Sequence, residues 1–279
     1  IPIINEDTFK NTFLNYLKYL FYGIIQGLTE FLPISSSAHL KVLSEFFGIQ
    51  DPGSSLSAIV QIASVLALLI YFRKDIRNIN ANNLVDNYLY KNKIFKSILI
   101  GSISIIFLGG FVKFIIPQFY ELYLRSNVLI GSISILTALL MYLSQLTKNK
   151  DISLENHSFY DSFLIGLAQS LAIIPGFSRS GITITAALLL GWKRVDAAKF
   201  SFMLGIPAIS LAALVEIFSS IKGNLFLSYG PLFVALISAF ITSYISIIFL
   251  IRYISLKGLS FFIFYKLFFG MLLIFMEFY

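Results

Sequence analysis

The sequence predicts an all-α polytopic membrane protein with six transmembrane helices, two re-entrant helical hairpins and an inverted-topology repeat, and three observations carry that prediction. Of its 279 residues, 57% are hydrophobic and only 13% are charged, far from the balance of a soluble globular domain. A bilayer core of about 30 Å needs roughly 20 apolar residues per helix, and six uninterrupted stretches answer to that: 56–72, 95–116, 127–146, 200–218, 231–252 and 260–278. Two more apolar regions, 12–48 and 160–191, are each broken by polar residues at nearly matching positions. No tract reads as a linker, so residues 1–279 form one integral membrane domain, with repeats over approximately 12–146 and 160–278.

The first broken region reads Gly23-x-x-Gln26, then Pro33 and Ser35-Ser36-Ser37; the second reads Gly166-x-x-Gln169, then Pro175 and Ser178-Arg179-Ser180. Each is followed by three spans. Three is an odd number of crossings, so if each broken element returns to the face it came from, the second repeat enters the membrane from the opposite side. Such paired, Gly/Pro-interrupted segments mark a ligand site near the bilayer midplane, and irregular backbone at that depth must be buried in protein. Lys/Arg placement tests the arrangement independently: with 56–72 running from outside to cytoplasm, thirteen Lys/Arg fall in cytoplasmic loops and six outside, leaving Arg179 and Lys266 within segments. This bias places both termini outside, and the site is expected to open to the external face of the cell membrane. The polar region from Asn78 to Asn92 reads as a surface loop with local helix. The apolar stretch from Phe13 is not read as a secretory signal, because Gln26, Thr29 and Glu30 sit where such a signal is apolar.

Composition also excludes classes. The net charge of +7 lies in short loops between spans, which leaves no basic face for nucleic acid and suits lipid headgroups instead. With no cysteine there is no disulfide framework, thiolate metal site or cysteine nucleophile.

The polar residues inside the breaks carry the chemistry. Gly23, Gln26 and Glu30 fall at i, i+3 and i+7 and share one helical stripe. Pro33 ends that helix; Ser35 or Ser36 caps the next one, with His39 in its first turn. In the second region Pro175-Gly176 makes the break, Ser178 is the cap, and Thr183 lies a turn beyond Arg179. Two helix N-termini would converge, offering free N–H groups and partial positive charge to an anion. Arg179 adds a forked donor suited to phosphate, and Ser35, Ser36, Ser178, Ser180 and Thr183 add neutral donors, a set that fits phosphate or diphosphate better than carboxylate. Glu30 and His39 go beyond an anion receptor: a carboxylate beside phosphate binds a divalent cation or moves a proton, and His beside Ser serves phosphoryl transfer.

Plainer readings compete at each residue. Hydroxyls in membrane helices often bond to neighbouring helices, Glu30 and Arg179 can form a structural ion pair, and His39 can be a satisfied core imidazole. Gln61 is either helix glue or a substrate contact, the 44 Phe and Tyr residues read as lipid-facing packing, and His157 reads as a solvated surface residue.

The two motifs, Gln26-Gly-Leu-Thr-Glu30-Phe-Leu-Pro33-x-Ser-Ser36-x-x-His39 and Pro175-Gly-x-Ser178-Arg179-Ser180-x-x-Thr183, resemble the signatures of the undecaprenyl-diphosphate phosphatase family of the bacitracin-resistance type. The resemblance runs from the first broken element to the last helix. It implies dephosphorylation of a C55 polyprenyl diphosphate to the monophosphate carrier used for cell-wall polymers, with stimulation by a divalent cation (Mg or Ca) near Glu30. It further implies a catalytic set of Glu30, Ser36, His39 and Arg179, supported by substrate-binding Gln26, Ser35, Ser178, Ser180 and Thr183. Many members have Glu where this chain has Gln26, and Ala38 replaces a frequent Gly. Either Ser36 or His39 would attack the terminal phosphorus while the other moves the proton. The expected partners are the lipid substrate and membrane lipid, with a homodimer as a possible assembly. The rival readings are a flippase or secondary transporter on the same repeat, an acid-phosphatase-like lipid phosphatase, whose Lys-x6-Arg-Pro element and second downstream His are missing here, and an intramembrane serine protease, against which Arg179 argues.

Overall fold

The computed structural model describes residues 6–48, 55–73, 84–116, 118, 120, 123–147, 151–222 and 229–278. Among them are ten α-helices: α1 (Glu6–Phe31), α2 (Ser36–Phe47), α3 (Ser55–Tyr71), α4 (Leu84–Ile115), α5 (Asn127–Gln145), α6 (Phe159–Ser170), α7 (Arg179–Leu189), α8 (Arg194–Lys222), α9 (Tyr229–Lys257) and α10 (Ser260–Phe278). Five stretches are long and apolar enough to cross a membrane: Asn92–Ile115, Asn127–Gln145, Arg194–Val215, Tyr229–Lys257 and Ser260–Phe278. The expected span at 56–72 is α3, whose 17 residues reach about 25 Å at 1.5 Å each, just short of the hydrocarbon core. The polar region after Asn78 is helical already from Leu84.

The breaks fall where the prolines put them. Helix α1 stops at Phe31, because the residue before Pro33 is pushed out of the α region. A tight turn follows, with Ile34 N–H on Leu32 O at 2.7 Å, and Ser35, with φ 77°, starts α2. In the second region α6 runs on through one 3₁₀ turn, Leu171–Ile173, before Pro175; Gly176 (φ 104°) and Ser178 (φ 62°) then lead into α7. Ser35 and Ser178 are the two non-glycine residues with positive φ among the described residues, and both precede the second helix of a broken element.

Helices packed in lipid gain little from burying apolar surface against each other, so contact depends on close backbone approach through small residues. Helix α1 lies along α9 and α6 lies along α4, while α5 pairs with α10 and α3 with α8. In the α6–α4 crossing a Cβ on Gly166 would run into the Gly101 carbonyl; across α5–α10, a Cβ on Gly131 would lie 2.5 Å from Gly270 O. Large apolar side chains, among them Phe31, Phe202, Trp192 and Leu250, fill the centre, and Phe31 meets Phe202 edge to face at 5.2 Å.

His157 departs from expectation. It is buried rather than solvated, 2% exposed, with Nε2 2.8 Å from Ser97 Oγ and Nδ1 2.9 Å from Leu154 O, and its ring lies 5.1 Å from that of Trp192. The loop carrying it is drawn down by a backbone bridge, Ile152 N to Gly191 O at 3.1 Å and Lys193 N to Ile152 O at 2.8 Å. Burial, with the charge of nearby Lys93 adding to it, pushes the His157 imidazole below its ordinary value.

Candidate active site

Glu30 sits in the last turn of α1 and is the hub of the site. Its Oε2 accepts from Gln26 Nε2, one turn earlier, at 2.9 Å and from Ser36 Oγ at 3.0 Å. The shared helical stripe accounts for the first bond. The second depends on the Pro33 turn, which doubles the chain back so that the first residue of α2 faces the end of α1. Ser35 and Ser37 bond to each other through their hydroxyls at 3.2 Å, and Ser35 makes no side-chain cap bond to α2.

The second break delivers Arg179 to the same carboxylate. Ser178 caps α7 by accepting from Gly181 N at 3.2 Å, which places Arg179 at the first position of the helix with its side chain toward α1. Arg179 Nη2 donates to Glu30 Oε1 at 3.5 Å and Nη1 to Ser201 O at 3.3 Å, while its Nε, buried, finds no partner among the described residues. The two breaks touch directly, since Ser180 Oγ donates to Leu32 O at 3.2 Å. Thr183 faces the other way: its hydroxyl donates to Arg179 O at 2.7 Å and meets Ser201 Oγ at 2.6 Å.

The Glu30–Arg179 side chains are 6% and 10% exposed, so their charges are largely removed from water. A buried ion pair stabilises only when the geometry is good and the remaining protons are satisfied. Here one long contact replaces the two-pronged carboxylate fork, and Nε has no partner among the described residues. That geometry makes a poor structural ion pair. It leaves donor capacity that an incoming oxyanion would take up.

His39 is not bonded to Ser36. Its Nδ1 lies 2.7 Å from Ser35 O and its Nε2 2.6 Å from Tyr265 Oη. A carbonyl can only accept, so Nδ1 carries the proton and, in the neutral ring, Nε2 accepts from the Tyr265 hydroxyl. Phe269 stacks on the imidazole, centroids 4.2 Å apart and planes within 6°.

Four further residues complete the arrangement, and only one had a signal in the sequence. Ser201 and Gly205, a turn apart on α8, form the wall behind Arg179; a Cβ on Gly205 would occupy the space of the guanidinium. Tyr265 holds His39. Lys266, fully buried, donates to Gly176 O at 2.7 Å. A serine, glycine or tyrosine in an apolar helix is ordinary, whereas an ionisable group inside a span is a functional candidate in itself, and Lys266 was legible on that ground.

Among the described residues no group of three His, Cys, Asp or Glu comes together, so a cation near Glu30 would rest on that one carboxylate and neutral oxygens. Gln26 Oε1, buried, has no partner among the described residues.

Comparison with known proteins identifies the family. The sequence model of the bacitracin resistance protein BacA family matches residues 19–272. An undecaprenyl-diphosphatase of Prochlorococcus marinus (strain MIT 9515) is 54% identical over 263 residues, covering 94% of this chain and 99% of the relative. One from Synechococcus sp. (strain CC9311), also called undecaprenyl-diphosphatase, is 40% identical over 257 residues, covering 90% and 91%. The chain belongs to the bacitracin resistance protein BacA family.

Proposed function

We propose that this family member is an undecaprenyl diphosphatase: an integral membrane enzyme that hydrolyses a C55 polyprenyl diphosphate to the monophosphate and inorganic phosphate, returning the lipid carrier to cell-wall synthesis. Membership of the family and the name of its 54%-identical relative support the activity. The observation that carries the site is the convergence of Glu30, Ser36 and a half-satisfied Arg179 from two separate breaks.

The geometry favours Ser36 as the nucleophile. Its hydroxyl already donates to a carboxylate, the pairing that activates it, whereas both nitrogens of His39 are engaged elsewhere. Ser36 Oγ bonds to the terminal phosphorus as the bond from phosphorus to the bridging oxygen breaks; polyprenyl monophosphate leaves and the Ser36 proton passes to Glu30. Water then cleaves the phosphoserine, releasing phosphate and restoring the hydroxyl. His39 takes the remaining proton-transfer role through Nε2, the unprotonated nitrogen that the Tyr265 hydroxyl holds in place. Arg179 turns its donors to the phosphoryl oxygens, and the N-termini of α2 and α7, with Ser35, Ser178 and Ser180 around them, face the developing charge. Thr183 acts through the backbone of Arg179.

Glu30, the unpartnered Gln26 Oε1 and Ser36 Oγ form an oxygen-only donor set of the kind that suits Mg²⁺ or Ca²⁺, and these residues would hold the cation together with the diphosphate. A bound divalent ion would supply neutralisation of phosphoryl charge.

In architecture, the reading is six spans, with α3 the sixth, and two re-entrant hairpins in an inverted repeat. Two features support it. The segment before α6 pairs with the segment after α7, so that hairpin begins and ends at one face; and the four most extensive helix pairings persist when the first five helices are exchanged with the last five, α1–α9 becoming α6–α4 while α3–α8 and α5–α10 map onto themselves. External termini follow from the Lys/Arg bias, and the site is read as opening to that same external face. Lys41 bonding Arg125 O and Asn127 Oδ1, both at 2.6 Å, joins residues that the bias puts on the same outer side.

The test is phosphate release from polyprenyl diphosphate by detergent-purified protein, with and without a chelator. The wild type should release phosphate, less with chelator present, and Glu30→Gln should lower turnover by about 10³-fold while remaining folded. A folded wild type that releases none, or a fully active Glu30→Gln, overturns the assignment.

A further inference from the structure

We propose that two adjacent residues of α10, Tyr265 and Lys266, latch the two breaks to each other and are positioning residues of the reaction. Consecutive side chains on a helix point about 100° apart, so one turn can grip two neighbours at once. Tyr265 reaches the first break, its hydroxyl 2.6 Å from His39 Nε2. Lys266 reaches the second, its Nζ 2.7 Å from Gly176 O, three residues before Arg179.

Each grip fixes something the reaction needs. Gly176 stands at φ 104° and Ser178 at φ 62°, a backbone route that an ordinary side chain rarely takes; the Lys266 bond, backed by Ser134 Oγ at 3.4 Å on the same carbonyl, pins that route and so fixes where α7 begins. The Tyr265 hydroxyl donates to Nε2 and thereby keeps the ring proton on Nδ1, where it bonds Ser35 O beside Ser36. Phe269, one turn along α10, stacks on the same imidazole, so ring plane and tautomer are both set from one helix. Lys266 is 0% exposed, and burying an amine at membrane depth is unfavourable. A helix contact serving only stability would be met more cheaply by an apolar or hydroxyl side chain.

The proposal rests on the phosphatase reading for its kinetic test and stands apart from it in a second one. Steady-state phosphate release should show Tyr265→Phe with kcat down about tenfold and KM within about twofold of wild type. Lys266→Met should fall by roughly a hundredfold, with Lys266→Arg recovering to within about threefold. The chain has two histidines, so ¹⁵N-histidine spectra of the detergent-solubilised protein contain two imidazoles, told apart with His157→Gln. Tyr265→Phe should move the His39 Nε2 resonance. Wild-type kcat with an unmoved resonance in Tyr265→Phe, or a folded and fully active Lys266→Met, overturns the latch; should Lys266→Met not fold, the Tyr265→Phe arm decides. If the wild type releases no phosphate, the phosphatase reading fails, while the resonance still reports on the latch.

Discussion

Gly205 decides whether Arg179 can reach Glu30. The guanidinium lies against α8 where any Cβ would stand, so Gly205→Ala should push it off the carboxylate without touching a reacting atom. We expect a folded protein with kcat/KM reduced by roughly 10²-fold, measured by phosphate release; an unchanged value would mean that Arg179 works from another position. Residue by residue, the sequence revealed what was anomalous. Glu30, His39 and Arg179 stood out because ionisable groups are unfavourable in lipid, and the Gln26–Glu30 stripe followed from helical spacing. What it hid was direction: Ser36 turns to Glu30, not to His39, because the Pro33 turn folds α2 back over the end of α1. Thr183 makes the ordinary back-bond to the carbonyl four residues earlier and also meets Ser201 on α8, and the second contact is one that no spacing rule foretells. His157 misled because the local sequence is polar, whereas the backbone bridge at Ile152 carries it under Trp192.

Helices and their breaks were the most legible level, since apolar runs and prolines act locally. Both breaks fall at the expected prolines; Ser178 caps its helix as expected, whereas Ser35, one of the two residues expected to cap α2, stands at the N-cap position without a side-chain bond. Which helices pair was not legible, because the glycines that permit close approach look alike in sequence and differ only in what they face. Gly166 on α6 abuts the backbone of Gly101, whereas Gly109 on α4 has open space around it. Gly166→Val should therefore destabilise by about 1–3 kcal/mol, seen as a lower melting temperature in detergent. Gly109→Ala should be neutral, or stabilising by up to about 1 kcal/mol through helix propensity. Equal effects at the two positions would contradict the α4–α6 contact.

For the molecule as a whole, the orientation is open to a direct test, because the chain has no native cysteine and single replacements report alone. A membrane-impermeant maleimide should label Glu45→Cys in intact cells, and Glu155→Cys only after permeabilisation; the opposite pattern would invert the assigned topology. The paired breaks and the Lys/Arg bias are what the proposed orientation is drawn from, but the joining of the two halves by Tyr265 and Lys266 depends on contacts between residues more than two hundred positions apart for His39 and ninety for Gly176. That joining has a bearing on biogenesis. Translation proceeds from the amino terminus, and α10 is made after every other helix described here. The segment carrying Ser36 and His39 would wait in the bilayer through most of synthesis without these contacts, so on the proposed assignment a ribosome-bound chain should be inert toward diphosphate until α10 is inserted.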